Sequence, residues 1–243
     1  MSLRIREAPS PNHDDRPAGM PVDMLVLHYT GMRSGAEAIA RLRDPAARVS
    51  AHYVVEEDGA IFRLVPEERR AWHAGTSHWR GREGLNDRSI GIEIVNPGHD
   101  WGYRPFPALQ MAAVCDLSLG ILGRHGIAAR DVVAHSDIAP DRKQDPGELF
   151  DWEGLAANGV GLWPRGVAGD DAALPADAAA RATHLLAAIG YRPDLPLAVL
   201  LTAFQRRWRP ERVDGLADAG CLARLIAVAA LIGHAGGHAE HLA

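Results

Sequence analysis

The chain has 243 residues, enough to bury a substantial core in one large domain or two modest ones. Hydrophobic residues make up 47% and charged residues 23%, a balance that excludes fibrous and unstructured classes. A net charge of −5 with no basic run argues against nucleic acid as a partner. Cys115 and Cys221 lie far apart in apolar helical patterns and are expected to be free and reduced. The first residues lack the apolar core of an export signal, and the longest apolar stretch, 225–232, is far short of the ~20 residues of a membrane span. The expectation is a soluble cytoplasmic protein without a membrane span, periplasmic only if translation starts upstream.

In chain order, residues 22–27 form a short apolar run that reads as a buried strand and ends directly in His28. Ser34 stands three residues before Glu37, a capping box opening an amphipathic helix. Two β-rich runs flank Asp58-Gly59, a hairpin signal. In "SIGIEIV" the isoleucines at 90, 92 and 94 take one face, leaving Gly91, Glu93 and Val95 on the other. A helical pattern runs from Pro107 to Arg124, with Gly126 as its C-terminal cap. Residues 131–134 form another short strand and lead into "AHSDIAPDRKQDPG", whose prolines prevent a regular helix. This order predicts an α/β fold, a central mixed sheet flanked by helices.

A composition shift follows. Residues 158–177 are rich in Gly, Pro, Ala and Asp, and three apolar-periodic segments come after them. The predicted division is a catalytic domain over 1–165, a linker over 166–176, a small three-helix domain over 177–233 and a disordered tail over 234–243. The tail carries His234, His238 and His241 without a hydrophobic stripe. A chain ended near Gly169 is expected to fold alone.

His28 and His135 both follow short strands, so neighbouring strands would bring both imidazoles to one sheet edge. Asp145 can return to that point through the proline-stiffened loop. Two histidines and one carboxylate leave a fourth position open, the pattern of a catalytic zinc site. Surface histidines and a capping aspartate are the alternative. Glu93 is a carboxylate in an otherwise apolar strand, costly to bury unless it is paired or close to a cation. It reads either as a solvent-facing glutamate or as the base that takes a proton from attacking water and returns it to a leaving amine. Lys143 reads as a solvated lysine or as the group that stabilises an oxyanion. Trp72, His73, Trp79 and Trp101 supply flat surface for a sugar or peptide cleft, although core packing explains Trp72 equally well.

The runs "VLHYTG", "SAHYVVEEDGAIFRLVPEERRAWHAG", "LNDRSIGIEIVN" and "AHSDIAPDRKQDPG" occur in the order found in zinc-dependent N-acetylmuramoyl-L-alanine amidases of the amidase_2 group. The resemblance covers roughly residues 10–163 and implies the fold shared by peptidoglycan recognition proteins and T7-type lysozyme. It implies hydrolysis of the amide between the lactyl group of N-acetylmuramic acid and L-alanine, with one Zn²⁺ per chain. It assigns His28, His135 and Asp145 as zinc ligands, Glu93 as the catalytic carboxylate and Lys143 as the catalytic lysine. Arg48 and Ala139 match positions that contact the muropeptide, and Tyr29, Trp72 and His73 are expected beside them on the substrate side. The AmpD type has an asparagine where this chain has Tyr29 and an arginine where it has Gly84. Both departures resemble the AmiD type. T7-type enzymes carry a tyrosine where this chain has Ala51. The C-terminal "FQ…DG…G…L" pattern is similar to a three-helix peptidoglycan-binding domain. The implied partners are peptidoglycan fragments or glycan strands, with the protein expected to be a monomer. The rival expectation is a binding module of the peptidoglycan-recognition type without turnover.

Overall fold

The computed structural model describes residues 4–167 and 173–237, with side chains described up to Gly233. In chain order the described residues form β1 (Ile5–Glu7), β2 (His13–Asp15), β3 (Met24–Tyr29), α1 (Gly35–Arg43), β4 (Tyr53–Val55), β5 (Ile61–Arg63), β6 (Arg69–Ala71), β7 (His78–Trp79), β8 (Arg82–Glu83) and β9 (Ser89–Ile94). These are followed by α2 (Gly98–Trp101), α3 (Ala108–His125), β10 (Val132–Ala134), α4 (His135–Ile138), α5 (Trp152–Ala157), α6 (Ala178–Ile189), α7 (Leu197–Trp208) and α8 (Ala219–Gly237).

The main sheet runs β1-β5-β4-β9-β3-β10. Only the β4–β5 hairpin pairs antiparallel within it, as the Asp58-Gly59 turn requires, with Gly59 at φ 83. The expected mixed sheet is therefore present, built mostly of parallel pairs. β2 with β6, and β7 with β8, make two small antiparallel ribbons.

Strand alternation sends Leu25, Leu27, Ile90, Ile92 and Ile94 to one face, where α3 covers them with Val114, Leu117 and Ile121. Helix α3 follows Pro107 and stops at Gly126, whose φ of 65 suits a residue without a Cβ. On α1, Ser34 Oγ accepts the Glu37 N–H at 3.2 Å. The opposite sheet face carries Met24, Val26 and Val133, and the same alternation sends His28 and Glu93 there. Both cysteines are free. No helix among the described residues is long and apolar enough to cross a membrane.

Two features differ from expectation. Strands β1 and β2 were not foreseen, because "IRE" and "HDD" carry no hydrophobic alternation. The Gly- and Pro-rich stretch starts within the expected catalytic domain and packs into the core there: Val160 is buried, and Trp163 stacks on Trp208 with centroids 6.0 Å apart. The expected tail falls partly inside α8, which runs through Gly237; residues 238–243, with His238 and His241, lie outside the described residues.

Helices α6, α7 and α8 share one buried cluster with Met24, Val26, Trp79, Val133 and Ile138. Burying a side chain of that size stabilises by about 1.5–3 kcal/mol, and whole domains are stable by about 5–15 kcal/mol. A chain ended near Gly169 is therefore expected to lose much of its stability, although linker composition alone would let it fold freely. Its chemical unfolding midpoint beside that of the full chain is the measurement; equal midpoints would show that the sheet face needs no cover.

Candidate metal and catalytic site

His28 is the fifth residue of β3 and sits opposite Glu93 of β9 in the parallel register. His135 follows β10, which pairs with β3 on its other side. Asp145 is brought back by a bond from the Ser136 N–H to its own carbonyl, 3.0 Å. The turn between them closes on Ala139, whose carbonyl accepts from Arg142 N and Lys143 N at 3.0 Å each. Tyr103 braces the far side, donating its hydroxyl to the Pro146 carbonyl at 2.8 Å.

Three donor atoms converge. His28 Nδ1, His135 Nδ1 and Asp145 Oδ2 lie 2.9–3.0 Å from one another, and all three residues are buried. Burial alone would raise the Asp145 pKa, but His135 and His28 hold it well below the usual carboxylate range. Burial and the neighbouring His135 push His28 down to about 4, so its imidazole is neutral at pH 7. No placement of protons satisfies this triangle with Asp145 ionised. If both Nδ1 atoms carry hydrogens they repel each other; if one does not, its lone pair faces the carboxylate oxygen. A cation resolves all three contacts at once, and a two-imidazole, one-carboxylate set suits zinc.

The outer nitrogens support the same tautomers. His135 Nε2 lies 3.3 Å from the Ala74 carbonyl, to which it donates. His28 Nε2 lies 3.0 Å from His73 Nδ1, His73 Nε2 lies 3.2 Å from Ser89 Oγ, and Ser89 donates to the Leu85 carbonyl at 2.6 Å. One consistent chain of donors thus leaves both inner Nδ1 atoms free to ligate. His73 can lie there because position 91 is glycine: a Cβ at Gly91 would come 2.5 Å from the His73 ring.

The triangle opens into a cleft of about 380 Å³. Glu93, Lys143, Tyr29, Trp72, His73, His135 and Asp145 all line it. Glu93 Oε2 is buried and has no hydrogen-bond partner. Burial and the Asp145 charge raise the Glu93 pKa well above 4.5, opposed by Lys143. Tyr29 is pushed up to about 12 by burial and by Asp145, and its hydroxyl meets His99 Nδ1 at 3.0 Å.

Other expected site residues fall elsewhere. Arg48 is exposed and does not line the cleft, and Ala139 is buried in the turn it organises. Trp79 is 3% exposed and packs against Tyr191, so it belongs to the core and not to a cleft wall. Trp101 is exposed in an adjoining groove, with the Arg33 guanidinium 4.2 Å from its ring centroid. Asn86 was missed. Its Oδ1 accepts the backbone N–H groups of His73 and Ala74, at 3.0 and 2.8 Å, and so fixes the two residues behind both imidazoles. Its place two residues after Gly84 in "LNDRS" was the available signal.

Residues 18–148 match the Amidase_2 family model, described as N-acetylmuramoyl-L-alanine amidase. The N-acetylmuramoyl-L-alanine amidase AmiD of Escherichia coli is 40% identical over 221 residues, 82% of this chain and 79% of the relative. The 1,6-anhydro-N-acetylmuramyl-L-alanine amidase AmpD of Escherichia coli is 38% identical over 165 residues, 60% of this chain and 87% of the relative. A solved complex of Escherichia coli AmiD with anhydro-N-acetylmuramic acid-L-Ala-D-gamma-Glu-L-Lys aligns with a TM-score of 0.79 at 38% identity, over 90% of this chain and 93% of that one. The chain belongs to the N-acetylmuramoyl-L-alanine amidase family, hydrolases of the amide that joins the lactyl group of N-acetylmuramic acid to L-alanine.

Proposed function

We propose that this amidase uses one zinc ion per chain, held by His28 Nδ1, His135 Nδ1 and Asp145 Oδ2, to cleave peptidoglycan fragments. The observation that carries the reading is the triangle of donor atoms that no arrangement of protons can satisfy while Asp145 is ionised, as its two imidazole neighbours hold it. Bound zinc supplies a Lewis acid that polarises the amide carbonyl and acidifies water. Glu93, whose carboxylate lines the cleft, takes the proton of the attacking water and returns it to the leaving amine. Lys143 faces the same cleft and stabilises the negative charge that develops on the carbonyl oxygen. Tyr29, Trp72 and His73 line the cleft and contribute to the substrate side. A binding protein without turnover would have no use for the intact acid–base pair. Chelation should abolish release of peptide from anhydromuropeptide, and added zinc should restore it; activity that survives complete metal removal would overturn the reading. A cytoplasmic location and a monomeric state belong to the same proposal, tested by fractionation and sedimentation.

The sugar end is expected to be read loosely. Gly84, exposed and at φ 64, stands in the sequence where the AmpD type resembled here has an arginine, so that charged donor is missing. Tyr29 stands where an asparagine would, with its hydroxyl engaged by His99. Hydrogen bonds to charged groups contribute about 1.5–3 kcal/mol, so their loss removes discrimination. Anhydro and reducing-end muropeptides should be cleaved with kcat/KM values within about tenfold, a gap of ~1.4 kcal/mol. A competition assay read by product chromatography decides it, and a thousandfold preference for the anhydro form would refute it.

A further inference from the structure

We infer that Tyr191 and Arg207, from the C-terminal helical segment, are positioning residues for the metal-binding turn, acting through Asp137. Asp137 lies two residues past His135 in α4, and its side chain is fully buried. Its Oδ1 accepts the Tyr191 hydroxyl at 2.5 Å. Its Oδ2 accepts the Ala134 N–H at 2.9 Å and Arg207 Nη1 at 2.5 Å. The other prong of the same guanidinium, Nη2, donates to the Val132 carbonyl at 2.9 Å. Arg207 therefore grips both the start of β10, which delivers His135, and the turn that His135 opens. An arginine fork fixes two acceptors relative to one another in a way that a single point charge does not.

The fork is itself held rigidly. Its central carbon lies 4.2 Å from the ring centroids of Trp152 and of Trp208. Tyr191 is pinned between Trp79 and Phe204, with centroid distances of 5.2 and 6.4 Å. The preceding residue, Arg206, reaches the other end of the loop: it donates to Gln144 Oε1 at 3.1 Å and lies 3.4 Å from Glu148 Oε2. These three C-terminal side chains thus direct their charged or hydroxyl groups at residues 132–148, the segment that carries His135 and Asp145. Docking a helical module onto an apolar sheet face needs no buried ion pair, because well-packed apolar residues serve as well or better there. What the polar contacts add is a fixed orientation for the turn, and outer contacts of this kind govern how well ligands meet a metal.

The inference rests on the zinc reading above, and its test separates the two. Full-length protein, Tyr191→Phe and Arg207→Lys are each titrated with zinc and with cobalt(II). Tyr191→Phe deletes one hydroxyl and keeps the ring, while Arg207→Lys keeps the charge and loses the fork. Both variants should bind zinc about ten- to a hundredfold more weakly, shift the cobalt(II) absorption bands, and lower kcat with KM unchanged. Val228→Ala, a cavity in the same helical cluster, should lower the unfolding midpoint while keeping the affinity and the spectrum. The inference is overturned if folded Tyr191→Phe and Arg207→Lys match the parent in affinity and spectrum, or if Val228→Ala shifts them equally. A parent protein that takes up neither metal overturns the zinc reading, and this inference with it.

Discussion

Replacing Glu93 by glutamine is expected to leave zinc uptake and fold intact while lowering kcat by about 10²–10⁴-fold, the usual contribution of a positioned acid–base group. The amide has nearly the shape of the carboxylate but cannot accept a proton. Little structure is at stake, because Oε2 has no partner to lose and the backbone of β9 is paired on both sides, to β3 and β4. Stability gives a second readout. Burial raises the folded-state pKa of Glu93 above its ordinary 4.5. In the metal-free protein, ionising this group opposes folding; the penalty begins as pH rises past 4.5 and is complete above the folded-state value. Metal-free Glu93→Gln should therefore unfold at a higher temperature than the parent at pH 7 and not at pH 4. Near-normal kcat in this variant would move the proton-transfer role away from Glu93.

The parts of this site that were legible in the sequence depend on local rules. His28 and His135 follow short apolar strands, and parallel pairing of those strands brings them together without further information. Glu93 is picked out because period-2 alternation puts three isoleucines on the face opposite to it. Asp145 needed only a loop too rich in proline to run away as a helix. What sequence reasoning could not supply is what comes to lie across the sheet. Trp79 looked like a cleft aromatic beside His73, yet α6 and the turn after it cover that surface and make it core. The three C-terminal helices were visible from their periodicity. The arginine and tyrosine they send to Asp137 were not, because neither residue carries a mark of a partner 70 and 54 positions away. Arg48 illustrates the converse: a motif match gives a position in a family pattern, and the exposed side chain here stays outside the cleft.

Changing His135 to alanine should empty the metal site and remove most of the activity. The parent is expected to carry about one zinc per chain, as the three-ligand set implies. Without the His135 imidazole only His28 Nδ1 and Asp145 Oδ2 remain, a pair without the geometry to retain zinc through purification. The Lewis-acid contribution, worth several kcal/mol, goes with the metal; at 1.36 kcal/mol per tenfold, that is a loss of about 10³-fold or more in kcat/KM. His73→Ala makes the comparison quantitative. His73 touches His28 Nε2 rather than the ligand triangle, so its removal should weaken zinc binding by about 10–100-fold, and excess metal should restore most of the rate. Excess zinc should not rescue His135→Ala to the same degree, because a ligand, and not merely its orientation, has been removed. Metal content by mass spectrometry, with kcat/KM measured across a zinc titration, distinguishes the two variants. Full zinc content and full activity in His135→Ala would remove the loop after β10 from the metal site, and the two-imidazole, one-carboxylate assignment would fall with it.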